Sequence, residues 1–312
     1  MQGESLIPVR VVCLREEAPG IVSCELRATG AAIPECAPGS HVDVHLPNGL
    51  VRQYSVVSAD ARIVRIAVKR EVRGRGGSAY VADTLRLGTM LQIGLPRVNF
   101  PLAAGEHRSV LIAGGIGITA VIAMARALAQ RGGDWVLHYC VRNREDVVFA
   151  DELAAWGERI RVHVSSEEGR ASLASLIGAQ PDDAHFYCCG PESMLEDFAR
   201  ATASVPAHRV HVERFEAAKP PSDAGAFHVR LASTGREIEV RSDQTILDAL
   251  AAQGIDAPSS CQQGICGSCE VRVLEGVPDH RDEVLTESER ARGTSMMICC
   301  SRSLTSVLVL DL

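Results

Sequence analysis

The sequence predicts a multi-domain chain in three parts: an antiparallel β-barrel, an α/β Rossmann-like domain and a small C-terminal α+β module. Three observations carry this. Residues 1–103 hold short strand-like runs separated by turn residues, the pattern of a small all-β barrel. From Ser109 a continuous apolar run enters a glycine turn and then a strong helix-forming stretch, the opening of a nucleotide-binding fold. Finally, Cys261, Cys266, Cys269 and Cys299 stand at C-x4-C-x2-C-x29-C, a spacing that wraps a [2Fe–2S] cluster in thiolates. The expected bounds are 1–103, 104–217, a linker at 218–226, and 227–312.

The composition sets the frame. A chain of 312 residues holds two to three domains, and 46% hydrophobic with 23% charged residues is a globular balance. The start, Met1-Gln-Gly-Glu-Ser-Leu-Ile-Pro, is neither a basic nor an apolar leader, and no apolar run reaches a membrane span, so the cytoplasm is the expected location. An odd number of cysteines, 11, argues against a disulfide framework. The net charge is −7, and residues 227–312 hold 8 Lys and Arg against 13 Asp and Glu, so the acidity concentrates at the C-terminal end. The run Asp279-His-Arg-Asp282-Glu283, continuing to Glu287 and Glu289, reads either as a solvated face or as a docking surface for a basic partner protein. No basic stripe with interleaved aromatics points to nucleic acid.

In the barrel, Val9–Leu14, Ile21–Arg27, His41–Leu46, Arg62–Arg70 and Leu91–Leu95 read as strands, with His41–Leu46 alternating strictly. Arg52-Gln-Tyr54-Ser55 puts a cation, an aromatic ring and a hydroxyl on one strand. Gly74-Arg-Gly76-Gly77-Ser78 approaches a short helix, whose free N–H groups suit a phosphate. Singly these are a surface strand and a loop. Together they describe a planar, phosphate-bearing cofactor, with Arg52 and Ser78 on the phosphate and Tyr54 against a ring.

In the second part, Gly114-Gly115-Ile-Gly117-Ile-Thr119-Ala120 contains G-x-G-x-x-A between a buried strand and the helix Val121–Gln130. The next strand, Trp135–Val141, is followed by Arg142-Asn143-Arg144 where an NAD site would offer an acid. Asn143 suits a ribose hydroxyl, whereas either arginine suits a 2′-phosphate, so the choice between NADH and NADPH stays open at this point. After a further strand from Ile160 to Val164, a buried strand ends at Cys188-Cys189-Gly190-Pro191, beside whatever the glycine turn holds, and these cysteines read equally as small packing residues. Ala217–Gly225 is a proline-stiffened linker.

The C-terminal module starts as a hairpin, Phe227–Leu231 and Glu237–Val240, followed by an amphipathic helix from Thr245 to Gly254. In the cysteine loop, Gly264 and Gly267 relieve the wrap around a cluster and leave N–H groups free for sulfur. Zinc would call for two short ligand pairs instead. The ten histidines are scattered without metal-ligand spacing and read as structural or solvated.

Taken in order, Arg52-Gln-Tyr-Ser55, Gly76-Gly-Ser78, Gly114-Gly-Ile-Gly-Ile-Thr119, Cys189-Gly-Pro191, Glu213-Arg-Phe215 and the four cysteines resemble the phthalate dioxygenase reductase family, which includes the vanillate demethylase reductases. Single motifs are shared with the wider ferredoxin–NADP reductase superfamily. The resemblance implies an FMN barrel, an NAD domain and a β-grasp plant-type ferredoxin domain, passing electrons from NADH to a Rieske-type oxygenase. It implies that Arg52, Tyr54 and Ser55 hold the flavin, with Gly76, Gly77 and Ser78 at its phosphate. Gly114, Gly115, Gly117, Thr119 and Asn143 would meet the dinucleotide. Cys189, Gly190 and Pro191 would lie near the nicotinamide, and Phe215 near the isoalloxazine, which makes Cys189, Phe215 and Ser55 the residues closest to hydride transfer. FMN rather than FAD follows only from the resemblance, and a monomer is expected.

The three parts also make chemical sense together. NADH delivers two electrons at once, a cluster accepts one, and a flavin mediates between them. The rival readings are a non-catalytic flavin/iron–sulfur redox sensor and a reductase for another acceptor, such as a cytochrome or quinone.

Overall fold

The computed structural model describes residues 6–72, 74, 76–215, 225–259, 262, 264, 267–282 and 284–312. The chain divides into two compact units, Met1–Glu213 and Arg214–Leu312. Among the described residues, no helix is long and apolar enough to cross a membrane.

The first unit holds two sheets. One is antiparallel: β1 (Ile7–Ala18), β2 (Ile21–Ala28), β3 (Ser40–His45), β4 (Val51–Ser55), β5 (Ser58–Ala59), β6 (Ile63–Lys69), β7 (Met90–Ile93) and β8 (Arg97–Val98), in the order β4-β3-β7-β1-β2-β6-β5 with β8 on β3. A two-residue step curls it. The Val56 N–H donates to the Ser40 carbonyl and the Val57 N–H to that of Arg65, each at 2.8 Å, so the β3 and β6 sides meet. Val9, Val11, Leu26, Val42, Val44, Ile66 and Ile93 fill the interior, as alternation along β1 and β2 requires.

β3 departs from expectation. Its polar positions do not face water: His41 and Asp43 are buried at 2% and 1% exposure. Asp43 is held by Arg97 at 2.7 Å. Burial, helped by the Arg97 charge, pushes His41 down to about 4, so it stays neutral. Strict alternation signals a two-faced strand, but it does not say whether the polar face is wet.

The second sheet is wholly parallel: β9 (Ser109–Gly114), β10 (Trp135–Val141), β11 (Ile160–Val164), β12 (His185–Cys189) and β13 (Val210–Glu213), ordered β11-β10-β9-β12-β13. Every residue of β9 is buried, as its continuous apolar run demands. The helix Ile118–Gln130 starts three residues earlier than the apolar run suggested, because Gly115–Gly117 forms a helical lead-in turn. The strand order reverses between β9 and its two neighbours, and the crevice outside their carboxyl ends is where such folds bind ligands.

Four histidines that are distant in sequence gather at the amino end of this sheet. The His107 and His185 rings stack at 3.8 Å, and His185 Nδ1 lies 3.1 Å from His211 Nε2. His208 meets His185 edge-on, and Tyr187 stacks on His211. The histidines are scattered in sequence, but the fold gathers these four; among the described residues no group of three or more His, Cys, Asp or Glu is placed to hold a metal ion. Burial, with His107 and His211 beside it, pushes His185 down to about 4, and burial also lowers His107 and His211. Asp183 near His107 opposes this, while Arg131 and Arg209 add to it. Burial thus favours the neutral forms of His107, His185 and His211 in the folded chain, and the unfolded chain binds more protons once the pH drops below the ordinary histidine value. Stability is expected to be full above about pH 6.5 and to fall as pH drops toward about 4. Urea unfolding of His185→Phe across this range should show a shallower pH slope than the wild type.

The second unit carries β14 (Phe227–Leu231), β15 (Glu237–Val240), β16 (Glu270–Glu275), β17 (Pro278–Asp279), β18 (Ser295–Met297), β19 (Arg302–Ser303) and β20 (Val307–Leu310). Its main sheet runs β15-β14-β20-β16-β18, with β14 and β20 parallel. The helix Ile246–Ala252 starts at a reciprocal cap between Thr245 and Asp248 and buries Ile246 and Leu250 on the sheet. A second helix, Glu287–Arg292, begins at a similar cap between Thr286 and Glu289.

That helix and the loop before it give part of the acidic run a structural role. Asp282 is 1% exposed, and its carboxylate accepts the N–H groups of Leu285 and Val284 at 2.8 and 3.1 Å. Asp279 pairs with Arg281 at 2.6 Å, and Glu289 caps its own helix at the Thr286 N–H. Asp282 thus holds the loop together, while Glu287 is exposed. Glu283 lies outside the described residues.

Candidate functional site

On β4, Arg52 and Tyr54 point to one side and Gln53 and Ser55 to the other. The Arg52 side chain lies across Gly77: a Cβ there would stand 2.5 Å from Arg52 Cγ and 2.6 Å from its Nε. Gly77–Ala79 begins a helical segment that runs on as Tyr80–Thr84, preceded by Gly76 at φ 81. The sequence motifs Arg-x-Tyr-Ser and Gly-Gly-Ser therefore meet in space, a guanidinium stem on the backbone of a helix start. Ser78 Oγ accepts the Glu71 N–H at 3.1 Å. Tyr54 packs on the barrel core, and its burial pushes the phenol well above its ordinary value despite the opposing Arg52 charge. Ser55 is buried opposite His41.

The nucleotide crevice is built by close backbone approach. Gly114 ends β9, and a Cβ there would meet Pro191 Cδ at 2.7 Å and Met194 Sδ at 2.8 Å. A Cβ on Gly190 would lie 3.2 Å from Gly114 Cα, and one on Gly117 only 2.2 Å from the Cys189 carbonyl oxygen. The turns after β9 and β12 thus pack glycine on glycine. Gly115 has φ 53 with open space around it. The helix Glu192–Ala201 follows Pro191. Thr119 is 2% exposed and its hydroxyl donates to the Ile116 carbonyl at 2.9 Å, fixing the glycine turn.

Cys188 and Cys189 are fully buried, and burial holds the Cys189 thiol well above its ordinary value. It is a neutral packing group, not a thiolate. Its neighbour across the ladder is Glu213, which the motif reading carried only as part of Glu213-Arg-Phe215. Burial pushes the Glu213 carboxyl up to about 8, and its Oε2 has no hydrogen-bond partner among the described residues. Glu213 therefore keeps its proton at neutral pH. An acid closing the strand Val210-His-Val-Glu213 was the signal available in the sequence; its place beside Cys189 is shown by the strand pairing.

Past β10, Asn143 donates its backbone N–H and Nδ2 to Asp146 at 2.9 and 3.2 Å. Arg144 is paired with Glu167. Phe215 is partly buried and belongs to the second unit.

In the second unit Cys269 and Cys299 are buried at 2% and 3% exposure within the core. The Gly264 N–H donates to Cys299 Sγ at 3.2 Å. Gly264 has φ 70, and a Cβ there would fall 2.4 Å from Cys300 Sγ, so only glycine fits. This is the N–H-to-sulfur contact that a thiolate-held cluster uses. Cys261 and Cys266 lie outside the described residues.

Fold and site together define a pyridine-nucleotide oxidoreductase that carries its own iron–sulfur domain. Residues 111–200 match the oxidoreductase NAD-binding domain and residues 229–304 the 2Fe-2S iron-sulfur cluster binding domain. The chain is 45% identical over 312 residues to phenoxybenzoate dioxygenase subunit beta of Ectopseudomonas oleovorans, covering 98% of this chain and 97% of that protein. It is 41% identical over 318 residues to vanillate O-demethylase oxidoreductase of Pseudomonas sp. (strain HR199 / DSM 7063), covering 98% and 100%. The solved structure of phthalate dioxygenase reductase, a modular structure for electron transfer from pyridine nucleotides to [2Fe-2S], matches with a TM-score of 0.78 at 34% identity over 99% of this chain and 98% of that one. The chain belongs to the phthalate dioxygenase reductase family.

Proposed function

We propose that this chain is the reductase component of a two-component Rieske-type oxygenase or demethylase acting on aromatic substrates. In this role it carries electrons from NADH through FMN and a [2Fe-2S] cluster to the oxygenase. The observation that carries the reading is one chain holding both a glycine-on-glycine nucleotide crevice and a buried cysteine pair with an N–H donor on sulfur. The relatives' roles in dioxygenase and demethylase systems support it.

The residues fit the groups this reading requires. Arg52 over Gly77, with Gly76 and Ser78 at the helix start, gives a cation and backbone N–H groups for a flavin phosphate. Tyr54 and Ser55 are assigned to the flavin ring. A bound flavin accepts the two electrons of a hydride and releases them singly. Gly114, Gly115 and Gly117 let the backbone approach a pyrophosphate. Thr119 fixes that turn, and Asn143 stands at the ribose. Cys189, Gly190 and Pro191 form the wall beside the nicotinamide. Cys189 and protonated Glu213 add no charge there, which suits hydride transfer, where orientation and exclusion of water matter most. Cys261, Cys266, Cys269 and Cys299 are the cluster ligands. We assign the domains as 1–103, 104–217 and 227–312 and expect a cytoplasmic monomer.

The test is anaerobic mixing of purified protein with NADH, followed by addition of an aromatic-ring oxygenase. Reduction of the oxygenase's Rieske centre supports the reading. Reduction of a free quinone or cytochrome alone would favour another acceptor.

A further inference from the structure

Past β10 the structure engages one of the two arginines that the sequence offers to a 2′-phosphate. In nucleotide-binding sheets of this kind, an acid past the second strand meets the ribose 2′-hydroxyl, and an arginine there accommodates a 2′-phosphate. This chain puts Arg142-Asn143-Arg144 at that place, after β10. Read alone, the segment leaves both a ribose hydroxyl, at Asn143, and a 2′-phosphate, at either arginine, open.

The structure changes the charge balance. Arg144 Nη2 and Nε lie 2.6 and 3.2 Å from the two carboxylate oxygens of Glu167, a two-pronged contact. Glu167 comes from the short helix Ser165–Glu168 directly after β11, the neighbour of β10. That helix is fastened to the same loop: the Ser166 N–H donates to the Arg142 carbonyl at 3.0 Å. Glu168 folds back onto the Val164 N–H at 3.2 Å, which holds the helix at the strand end. Asp146 engages Asn143 from the other side. Of the carboxylates on this loop and helix, Glu167 is the one paired with Arg144, and the Glu168 charge also favours that guanidinium, so Arg144 is already engaged.

We propose that Glu167 sets the preference of this chain for NADH by occupying Arg144, which would otherwise bind the 2′-phosphate of NADPH. Glu167 is a positioning residue here: it acts through Arg144 and contacts no part of the cofactor. The inference rests on the reading of this crevice as a dinucleotide site, and it concerns only the adenosine ribose end.

The test uses the full-length protein and calorimetric titration with 5′-AMP and 2′,5′-ADP, which differ only in the 2′-phosphate. Wild type is expected to favour 5′-AMP. In Glu167→Gln the ratio of the two affinities should move toward 2′,5′-ADP by about tenfold. The gain should shrink with added salt. In Glu167→Gln/Arg144→Gln it should vanish. The ratio of kcat/KM for NADPH over NADH should move the same way, carried by KM. Arg144 and Glu167 are both exposed, so folding is checked simply by the far-UV spectrum. An unchanged ratio in Glu167→Gln, or a shift that persists without Arg144, overturns the proposal. Wild type binding neither NAD⁺ nor NADP⁺ would overturn the dinucleotide reading as well, which separates the two failures.

Discussion

Gly117→Ala is expected to cut NADH-driven reduction by about 100-fold while the C-terminal unit stays folded. The added Cβ would stand 2.2 Å from the Cys189 carbonyl oxygen and 2.6 Å from its carbon. Neither atom is a side chain that can swing aside, so the turn after β9 or the one after β12 must move. The expected cost to the first unit is about 1–3 kcal/mol, typical of overpacking. The larger effect is on positioning, because these two turns are the walls of the crevice. Gly178→Ala is the control: nothing lies within 4 Å of a Cβ there, and its backbone is not left-handed. Steady-state kinetics with NADH and a dye, with thermal melts of both variants, separate loss of site geometry from loss of fold.

Asp282→Ala is expected to destabilise the C-terminal unit by about 3–5 kcal/mol and to empty its cluster. The carboxylate is buried with Arg290 4.0 Å and His280 3.7 Å away. It also accepts two backbone N–H groups and stands 3.4 Å from Ser301 Oγ, two residues past Cys299. Truncation leaves these donors unsatisfied in the core. Asp282→Asn keeps an acceptor oxygen and should lose less. The ratio of cluster absorbance to protein, with urea unfolding, reads both effects. A merely solvated acid at this position would change neither.

Much of this architecture was legible because its signals are local. The continuous apolar run Ser109–Ala113 and the glycines after it specify a buried strand and a tight turn, and the cysteine spacing specifies a ligand loop. What the sequence hid depends on contacts between distant segments. Asp282 and Glu283 look like a charge run, and only the fold shows that Asp282 turns inward to bind the loop that follows it. The Thr286–Glu289 cap was a readable helix signal within that acidic run. The engaged state of Arg144 depends on Glu167, 23 residues further on. The histidine stack draws on the segment before β9, on β12, and on residues 208–211, so no spacing rule reveals it. Gly117 reads as a phosphate-loop glycine, and the structure adds that the Cys189 carbonyl leaves room for nothing else.

The most direct test of the electron path is an anaerobic titration with NADH, followed by visible absorption and by electron paramagnetic resonance. Wild type should show flavin and cluster bands that bleach together as NADH is added, with a reduced-cluster signal appearing. Cys299→Ser should keep the flavin bleaching and lose the cluster signal. A wild-type spectrum without cluster absorption, or a cluster reduced by NADH just as fast after the flavin is removed, would contradict the account.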